Sequence, residues 1–496
     1  LDELNSVGKS AWPAQLLRQV DKNEMNKTQL SIEQLEQNFA ELHPSYTPDE
    51  AAVEAARCLY CYDAPCTRAC PTQIDVPGFI RQILHRNVAG AAQTILDANI
   101  LGGSCARACP TEVLCEGACV DRVRAGAPVQ IGRLQRYATD YALEKGLRFF
   151  QPGSATGRRV AIVGAGPAGL ACSHELRRLG HQVTLFEARD VPGGLNTLGI
   201  AAYKITRQFS LAEIQPILDL GVDLRLNHPV DGQKLKELLA TFDAVFLAVG
   251  LGSTHRLNIP GEQAEGVWEA LEFIEQMHQP TNLAECEVGR RVVVLGCGNT
   301  AIDAATAAIR LGAERVTICY RRGPSEMSAY AYEYELAKTD GVSFEWFVQP
   351  TEFLLTDGRL SGIRFKHTME AGNSPVLDGH LSGSSLATPM DGARMPKSTD
   401  RSKVDNRHLG DTFTIKCDMA IKALGQSPIL KLLLDLDPSC VERGRVVLDP
   451  TTYQTRIPGL YAGGDCVSQG AEIVNAVQDG KLAARSMHGS LVLEKD

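Results

Sequence analysis

The 496-residue sequence contains no uninterrupted apolar run approaching the ~18 residues of a membrane-spanning helix, so no transmembrane segment is expected. It opens Leu1-Asp2-Glu3-Leu4, without an initiator Met and without the basic stretch and apolar core of a secretory signal. Basic residues are in deficit. Lys and Arg number 50 against 59 Asp and Glu, a net charge of −9, which argues against nucleic acid as a partner. No zincin helix, nucleophile motif or acid–base carboxylate pair offers hydrolytic chemistry. Outside one segment cysteine is sparse, and Cys172, Cys286, Cys297 and Cys319 form no C-x2-C or C-x4-C pair. A disulfide-exchanging centre is therefore not expected, and the remainder reads as cytoplasmic. At ~150 residues per domain the length suggests about three domains.

The abundance is local. Of 15 cysteines, eight lie between Cys58 and Cys119. They form two runs, Cys58-x2-Cys61-x4-Cys66-x3-Cys70-Pro71 and Cys105-x3-Cys109-Pro110-x4-Cys115-x3-Cys119. Such density means a staple of some kind. Disulfides need an oxidising compartment that nothing here signals. Structural zinc favours C-x2-4-C pairs, which gaps of four and five within a run of four fit poorly. Thiolate runs that meet Cys-Pro fit iron–sulfur binding best, although the middle spacing departs from the bacterial ferredoxin run. Flanking the block, Thr47-Pro48-Asp49-Glu50 reads as a capped helix start, with the helix running Ala51 to Leu59 and delivering Cys58. Apolar residues at 131, 134, 138 and 141 predict a second helix.

After a linker near 143–157 the pattern becomes α/β. The strand Arg159–Val163 leads into Gly164-Ala165-Gly166-Pro167-Ala168-Gly169, a helix stopped by Gly180, and a strand Val183–Phe186 followed by Glu187. In that setting G-x-G-x-x-G is a dinucleotide fingerprint. Its glycines serve the tight turn, the approach of a pyrophosphate and close helix packing, and Glu187 can accept from ribose hydroxyls. The grammar repeats at Arg291–Leu295, Gly296-Cys297-Gly298-Asn299-Thr300-Ala301, a helix to Leu311, and Val316–Cys319. There Tyr320 stands where Glu187 did, followed by Arg321 and Arg322. Two guanidiniums and no carboxylate lean toward NADPH over NADH. Residues 368–411 read as an irregular excursion between strands Gly362–Lys366 and Thr412–Lys416, a surface loop before a partner contact.

Two fingerprints in one chain resemble the two-dinucleotide-binding-domain flavoproteins. Tyr461-Ala462-Gly463-Gly464-Asp465 resembles their C-terminal flavin segment, and Lys422-Ala423-Leu424-Gly425-Gln426 their strand returning from the nicotinamide domain. The resemblance implies FAD at the first fingerprint and NAD(P)H at the second. Cys58-Leu-Tyr-Cys61-Tyr-Asp-Ala-Pro-Cys66, Cys109-Pro-Thr111 and Ile131-Gly-Arg-Leu-Gln135 narrow it further. They resemble the electron-input half of dihydropyrimidine dehydrogenase, in particular its bacterial flavoprotein subunit of the PreT type, with the small subunit of glutamate synthase a close relative. Asp63-Ala64-Pro65-Cys66 and Gln135 favour the pyrimidine branch.

That resemblance implies an α/β two-dinucleotide-binding-domain flavoprotein with an N-terminal α-helical domain carrying two [4Fe–4S] clusters. One cluster would take Cys58, Cys61, Cys66 and Cys119. The other would take Cys70, Cys109, Cys115 and Gln135, leaving Cys105 over. FAD would meet Gly164 to Gly169, Glu187, Ala188, Arg189, Gly194, Leu195, Gly464 and Asp465. The family's basic residue near the flavin corresponds to Lys204. NAD(P)H would meet Gly296, Cys297, Gly298, Asn299, Thr300, Arg321, Arg322, Leu424 and Gly425. The expected domains are 1–142 for the clusters, 143–256 with 428–496 for FAD, and 257–427 for NAD(P)H. The 31 residues after Asp465 leave no room for an FMN-binding barrel of ~250 residues. The expectation is therefore a hetero-oligomer. Electrons would pass from NAD(P)H through FAD and the clusters to a partner subunit that carries FMN and reduces uracil or thymine. The alternative partner is the large subunit of glutamate synthase.

Overall fold

The computed structural model describes residues 30–279, 283–368 and 409–493. Most of the 368–411 excursion, and residues 1–29, lie outside that range. Thr47 caps the helix Pro48–Ala55 with a full capping box. Its side chain accepts from the Glu50 N–H, and Glu50 reaches back to the Thr47 N–H at 2.8 Å. This helix ends at Ala55, short of the expected Leu59. The chain tightens through i→i+3 bonds from Arg57 to Glu54 and from Cys58 to Ala55, so Cys58 sits on a turn and not on a helix. Val76–Leu84 buries Val76, Phe79, Ile80 and Ile83, one stripe at i, i+3, i+4 and i+7. It packs with Val88–Ala98 and with Ile131–Glu144, whose buried face includes Ile131, Leu134, Gln135, Ala138 and Thr139.

The remaining chain builds two five-stranded parallel sheets. The first runs in the order Leu460–Ala462, Ala244–Leu247, Arg159–Val163, Gln182–Phe186 and Asp223–Arg225. The second runs Val267–Glu269, Met419–Lys422, Arg291–Leu295, Arg315–Tyr320 and Ser343–Trp346. Their inner strands are largely apolar runs because both faces are covered. In each sheet the fingerprint strand is central, and the order reverses beside it. That reversal opens the crevice at the carboxyl ends where such sheets take ligands. An antiparallel ribbon of Val348–Thr356, Arg359–His367 and Thr412–Ile415 flanks the second sheet. The pair Leu251–Thr254 and Gln426–Pro428 carries the chain out of the first sheet and back. The C-terminal helix Ile473–Leu493 lies on the fingerprint helix Pro167–Arg178. The approach is so close that a Cβ on Gly480 would stand 2.1 Å from the Ala168 carbonyl oxygen. Among the described residues no helix is long and apolar enough to cross a membrane.

Candidate redox site

The first fingerprint separates its glycines by function. Gly164 has φ +105°, and a Cβ there would fall 2.3 Å from the Ala248 carbonyl oxygen. A Cβ on Gly169 would fall 1.9 Å from the Gly164 carbonyl oxygen, so this glycine lets the helix Pro167–Arg178 sit on the turn. A Cβ on Gly166 would meet nothing within 4 Å, which leaves that side of the backbone open to a pyrophosphate at a helix N-terminus. Gly194, at φ +56°, brings its loop over that turn, 3.1 Å from the Gly166 Cα by its own would-be Cβ. The neighbouring Gly193 N–H donates to the Ala165 carbonyl at 2.8 Å. Glu187 is buried. It accepts from the Ala165 N–H at 2.8 Å and from the Arg189 N–H at 2.9 Å, with a second lone pair on each oxygen for ribose hydroxyls. Ala188 and Arg189 are exposed beside it, and Arg189 pairs with Glu275 at 2.6 Å. Gly464 and Asp465 follow the outer strand of the same sheet. Gly464 donates to Asp479 at 2.9 Å, Asp465 accepts from Ala471 at 3.1 Å, and burial raises the pKa of both carboxyls. These four loops meet at the carboxyl ends of one sheet, and together they fit a dinucleotide.

The second fingerprint opens on a cleft of about 610 Å³. Gly296, Cys297, Gly298 and Thr300 line it together with Leu424, Gly425, Arg321 and Arg322. Gly296 has φ +122°, with no space for a Cβ against the Ala423 carbonyl. Asn299 turns away, accepting from the Tyr330 N–H at 3.1 Å. Tyr320 is buried and its hydroxyl donates to the Glu326 carbonyl at 3.0 Å, so the position that holds Glu187 in the first site offers no carboxylate here. The arginines remain exposed. His255, Arg256, Gln349 and Lys422 also line the cleft. They come from separate segments and carry no spacing signal. Lys422 is buried, paired with Glu262 at 3.0 Å and Glu269 at 2.8 Å.

Within the helical block, Cys58, Cys61, Cys66 and Cys119 line one pocket with Pro65, Val76, Ile80, Val129 and Ile131. Burial raises the Cys58 pKa and pushes Cys66 up to about 11, so ligation would displace their protons. The short helix Pro65–Ala69 carries Cys66 to this pocket and ends on Cys70. Cys70 and Cys66 both lie near Cys115, which in turn lies near Cys109. Burial raises Cys115, and Cys109 is raised first by a hydrogen bond with Cys105 and then by burial. Gln135 is buried on the face of Ile131–Glu144 that packs on Gly102–Ala108. Its Nε2 donates to the Gly102 carbonyl at 2.6 Å. Among the described residues no three His, Cys, Asp or Glu side chains are grouped as ligands of a single ion.

Lys204 is buried in an ion-pair triad, 2.7 Å from Asp303 and 2.5 Å from Glu333. The neighbouring Tyr203 hydroxyl donates to Asp303 at 3.1 Å. Nearby, the Tyr330 hydroxyl donates to Glu472 at 2.6 Å. These contacts tie the segment after the first fingerprint, and the C-terminal segment, to the helices of the second sheet. Sequence reading missed Asp303, Glu333, Tyr330 and Glu472. The available signal was a lone carboxylate in the apolar run Ala301-Ile302-Asp303-Ala304-Ala305.

Comparison with known proteins agrees with this geometry. A model described as dihydropyrimidine dehydrogenase domain II, 4Fe-4S cluster, matches residues 35–147. A pyridine nucleotide-disulphide oxidoreductase model matches residues 158–373 and 392–480. The NAD-dependent dihydropyrimidine dehydrogenase subunit PreT of Salmonella typhimurium is 35% identical over 455 residues, 91% of this chain and 97% of that protein. The chain belongs to this family. PreT of Escherichia coli K12 is 34% identical over 457 residues, 91% of this chain and 97% of that protein. The glutamate synthase [NADPH] small chain of Escherichia coli K12 is 32% identical over 480 residues, 92% of this chain and 94% of that protein. The family makes the chain an NAD(P)-dependent oxidoreductase, with an iron–sulfur domain ahead of a fold that binds flavin and nicotinamide nucleotides.

Proposed function

We propose that the chain is an electron-input subunit. It oxidises NAD(P)H and passes the electrons, by way of FAD and two [4Fe–4S] clusters, to a partner subunit that reduces uracil or thymine to the 5,6-dihydropyrimidine. The bound flavin would accept electrons in pairs and release them singly to the clusters. Cys58, Cys61, Cys66 and Cys119 would hold one cluster, and Cys70, Cys109, Cys115 and Gln135 the other. The Gln135 carbonyl, a harder donor than a thiolate, would leave its cluster less negatively charged. Gly166 and Gly194 would frame the flavin pyrophosphate, and Arg321 with Arg322 would meet the 2′-phosphate of NADPH. Lys204 would set the flavin segment against the nicotinamide domain through Asp303 and Glu333.

The observation that supports export to a partner is the rim of the thiol pocket. Leu59 and Val120 line the pocket yet are 44% and 41% exposed, and Tyr62 and Val123 beside them are fully and 79% exposed. Exposed apolar residues at a pocket rim suit protein contact, here beside the cluster proposed for Cys58, Cys61, Cys66 and Cys119. The partner proposed is a subunit with FMN and the pyrimidine site. Glutamate synthase remains the second reading, because its small chain matches nearly the whole length. Asp63-Ala64-Pro65-Cys66 and Gln135 favour the first. Each candidate large subunit is to be co-purified with this chain and assayed for NAD(P)H oxidation. Turnover with uracil, and none with 2-oxoglutarate plus glutamine, is expected. The reverse result overturns the pyrimidine assignment.

A further inference from the structure

The chain ahead of the cysteine block does not pack on that block alone. The helix Ile32–Asn38 has seven residues, too few to hold in water by itself. Leu35 and Phe39, four positions apart on one face, dock it. Both are buried in the apolar core that also holds Ala304 and Ala308 of the helix Asn299–Arg310. That core takes in Tyr203 from the segment after the first fingerprint, and its ring centroid lies 6.5 Å from that of Phe39. Asn38 and Arg310 exchange hydrogen bonds. The Asn38 Nδ2 donates to the Arg310 carbonyl at 2.9 Å, and the Arg310 guanidinium donates to the Asn38 carbonyl at 3.1 Å. The same guanidinium lies 4.2 Å from the centre of the Tyr203 ring, and the Leu42 N–H donates to the Tyr203 carbonyl at 3.3 Å. Glu41 then meets the helical block. It accepts from Arg136 and, at 3.4 Å, from Arg107, two arginines whose side chains are almost fully covered and also hold Asp140. Arg107 rests on the Phe209 ring, 3.5 Å from its centre. Residues 32–42 thus touch a helix of the nicotinamide sheet, the flavin segment and the cluster-bearing block.

We propose that residues 32–42 are a strap that fixes the nicotinamide sheet against the flavin sheet, and that Asn38 and Phe39 are positioning residues for hydride transfer from NAD(P)H to FAD. The proposal rests on the reading that the chain oxidises NAD(P)H through FAD. The hydride carries two electrons from the nicotinamide, which is left as NAD(P)+, to the flavin. The two sheets are joined by two crossings of the chain, at Leu251–Thr254 and Gln426–Pro428. Units joined in that way move against each other unless a large apolar contact holds them. Hydride transfer does not tolerate such motion, because the reacting atoms must come within ~3–3.5 Å and a ~1 Å misplacement costs ~100-fold. The Lys204 triad ties this seam by charge. The strap adds apolar burial at Leu35, Phe39 and Tyr203, and its Glu41 end anchors the seam to the block that would take the electrons onward.

The test is anaerobic stopped-flow reduction of the flavin by NADPH and by NADH in the purified holoprotein. FAD and iron are counted in the same samples, binding of NADP+ and NAD+ is measured by calorimetry, and hydrogen–deuterium exchange is followed by mass spectrometry. F39A should lower the limiting rate of flavin reduction about tenfold or more, with binding constants, FAD and iron unchanged. Exchange should quicken at residues 201–205 and match the wild type at the two fingerprints. F39L, which refills most of the apolar volume, should recover most of the rate. N38A should lower the rate by less than F39A. A wild-type limiting rate in F39A overturns the proposal, as does unaltered exchange at residues 201–205 in both F39A and N38A. A slower rate with weaker nucleotide binding also overturns it, because the cleft itself would then be damaged. If F39A loses FAD or does not fold, N38A decides, a slower limiting rate at unchanged binding supporting the proposal and a wild-type rate overturning it. Wild-type protein that holds FAD but is reduced by neither nucleotide would instead overturn the reading on which the proposal stands.

Discussion

Gly166 and Gly169 are three positions apart, and the structure asks opposite things of them. The N-terminal φ of −77° at Gly166 is open to any residue, and a Cβ there meets nothing. Gly166→Ala should therefore leave stability within about 0.5 kcal/mol of the wild type while abolishing FAD retention, because the methyl occupies the approach of the pyrophosphate. Gly169→Ala forces a Cβ to 1.9 Å from a backbone oxygen and should cost about 1–3 kcal/mol as an overpacked site. Thermal melts and flavin absorbance of both apoproteins and holoproteins check this pair. In the second cleft, Arg321→Ala with Arg322→Ala should raise KM for NADPH much more than for NADH. Equal effects in steady-state assays would count against a 2′-phosphate contact.

At the scale of elements, short signals with local physics were legible. The strands Arg159–Val163 and Arg291–Leu295 fall where a β-branched run precedes a glycine fingerprint. The Thr47 capping box begins a helix as its residues require, and Gly180 at φ +87° stops another. The end of the first helix was not legible. Nothing in Ala55-Ala56-Arg57-Cys58 breaks a helix by propensity, and the tightened turn answers the packing of the thiol pocket instead.

The helix Gly102–Ala108 shows the same limit from the other side. No N-cap residue precedes it, because its cap is Glu213, 110 residues away. Burial raises that carboxyl from its usual 4.5 to about 7. A raised acid stabilises the fold in its protonated form. That contribution is complete below about pH 4.5 and is lost as pH rises toward 7, by about 3 kcal/mol in all. Glu213→Gln should flatten this slope. Urea denaturation of both proteins at pH 5 and pH 8 should show a wild-type-minus-variant difference that falls with pH, whereas a constant difference would place the charge on Glu213 throughout.

For the whole molecule, the two dinucleotide folds and the cysteine block were open to sequence reading because their chemistry is written in short spacings. The junction between them was not. Lys204 meets Glu333 across 129 positions, and Tyr203 meets Asp303 across 100. No motif spans such distances, and a charged group among apolar neighbours is the only trace they leave. The division of the thiols is intermediate. The runs announce a metal-binding block, but the division into Cys58, Cys61, Cys66 and Cys119 against Cys70, Cys109 and Cys115 comes from a resemblance; the structure brings the first four to one pocket.

The proposed route takes electrons from a flavin through two clusters in this chain. An anaerobic count of iron, acid-labile sulfide, zinc and flavin in the purified chain tests it most directly. About eight iron, about eight sulfide and one FAD per chain are expected, the content of two [4Fe–4S] clusters and one flavin site. Zinc in place of iron, or iron without flavin, would contradict it.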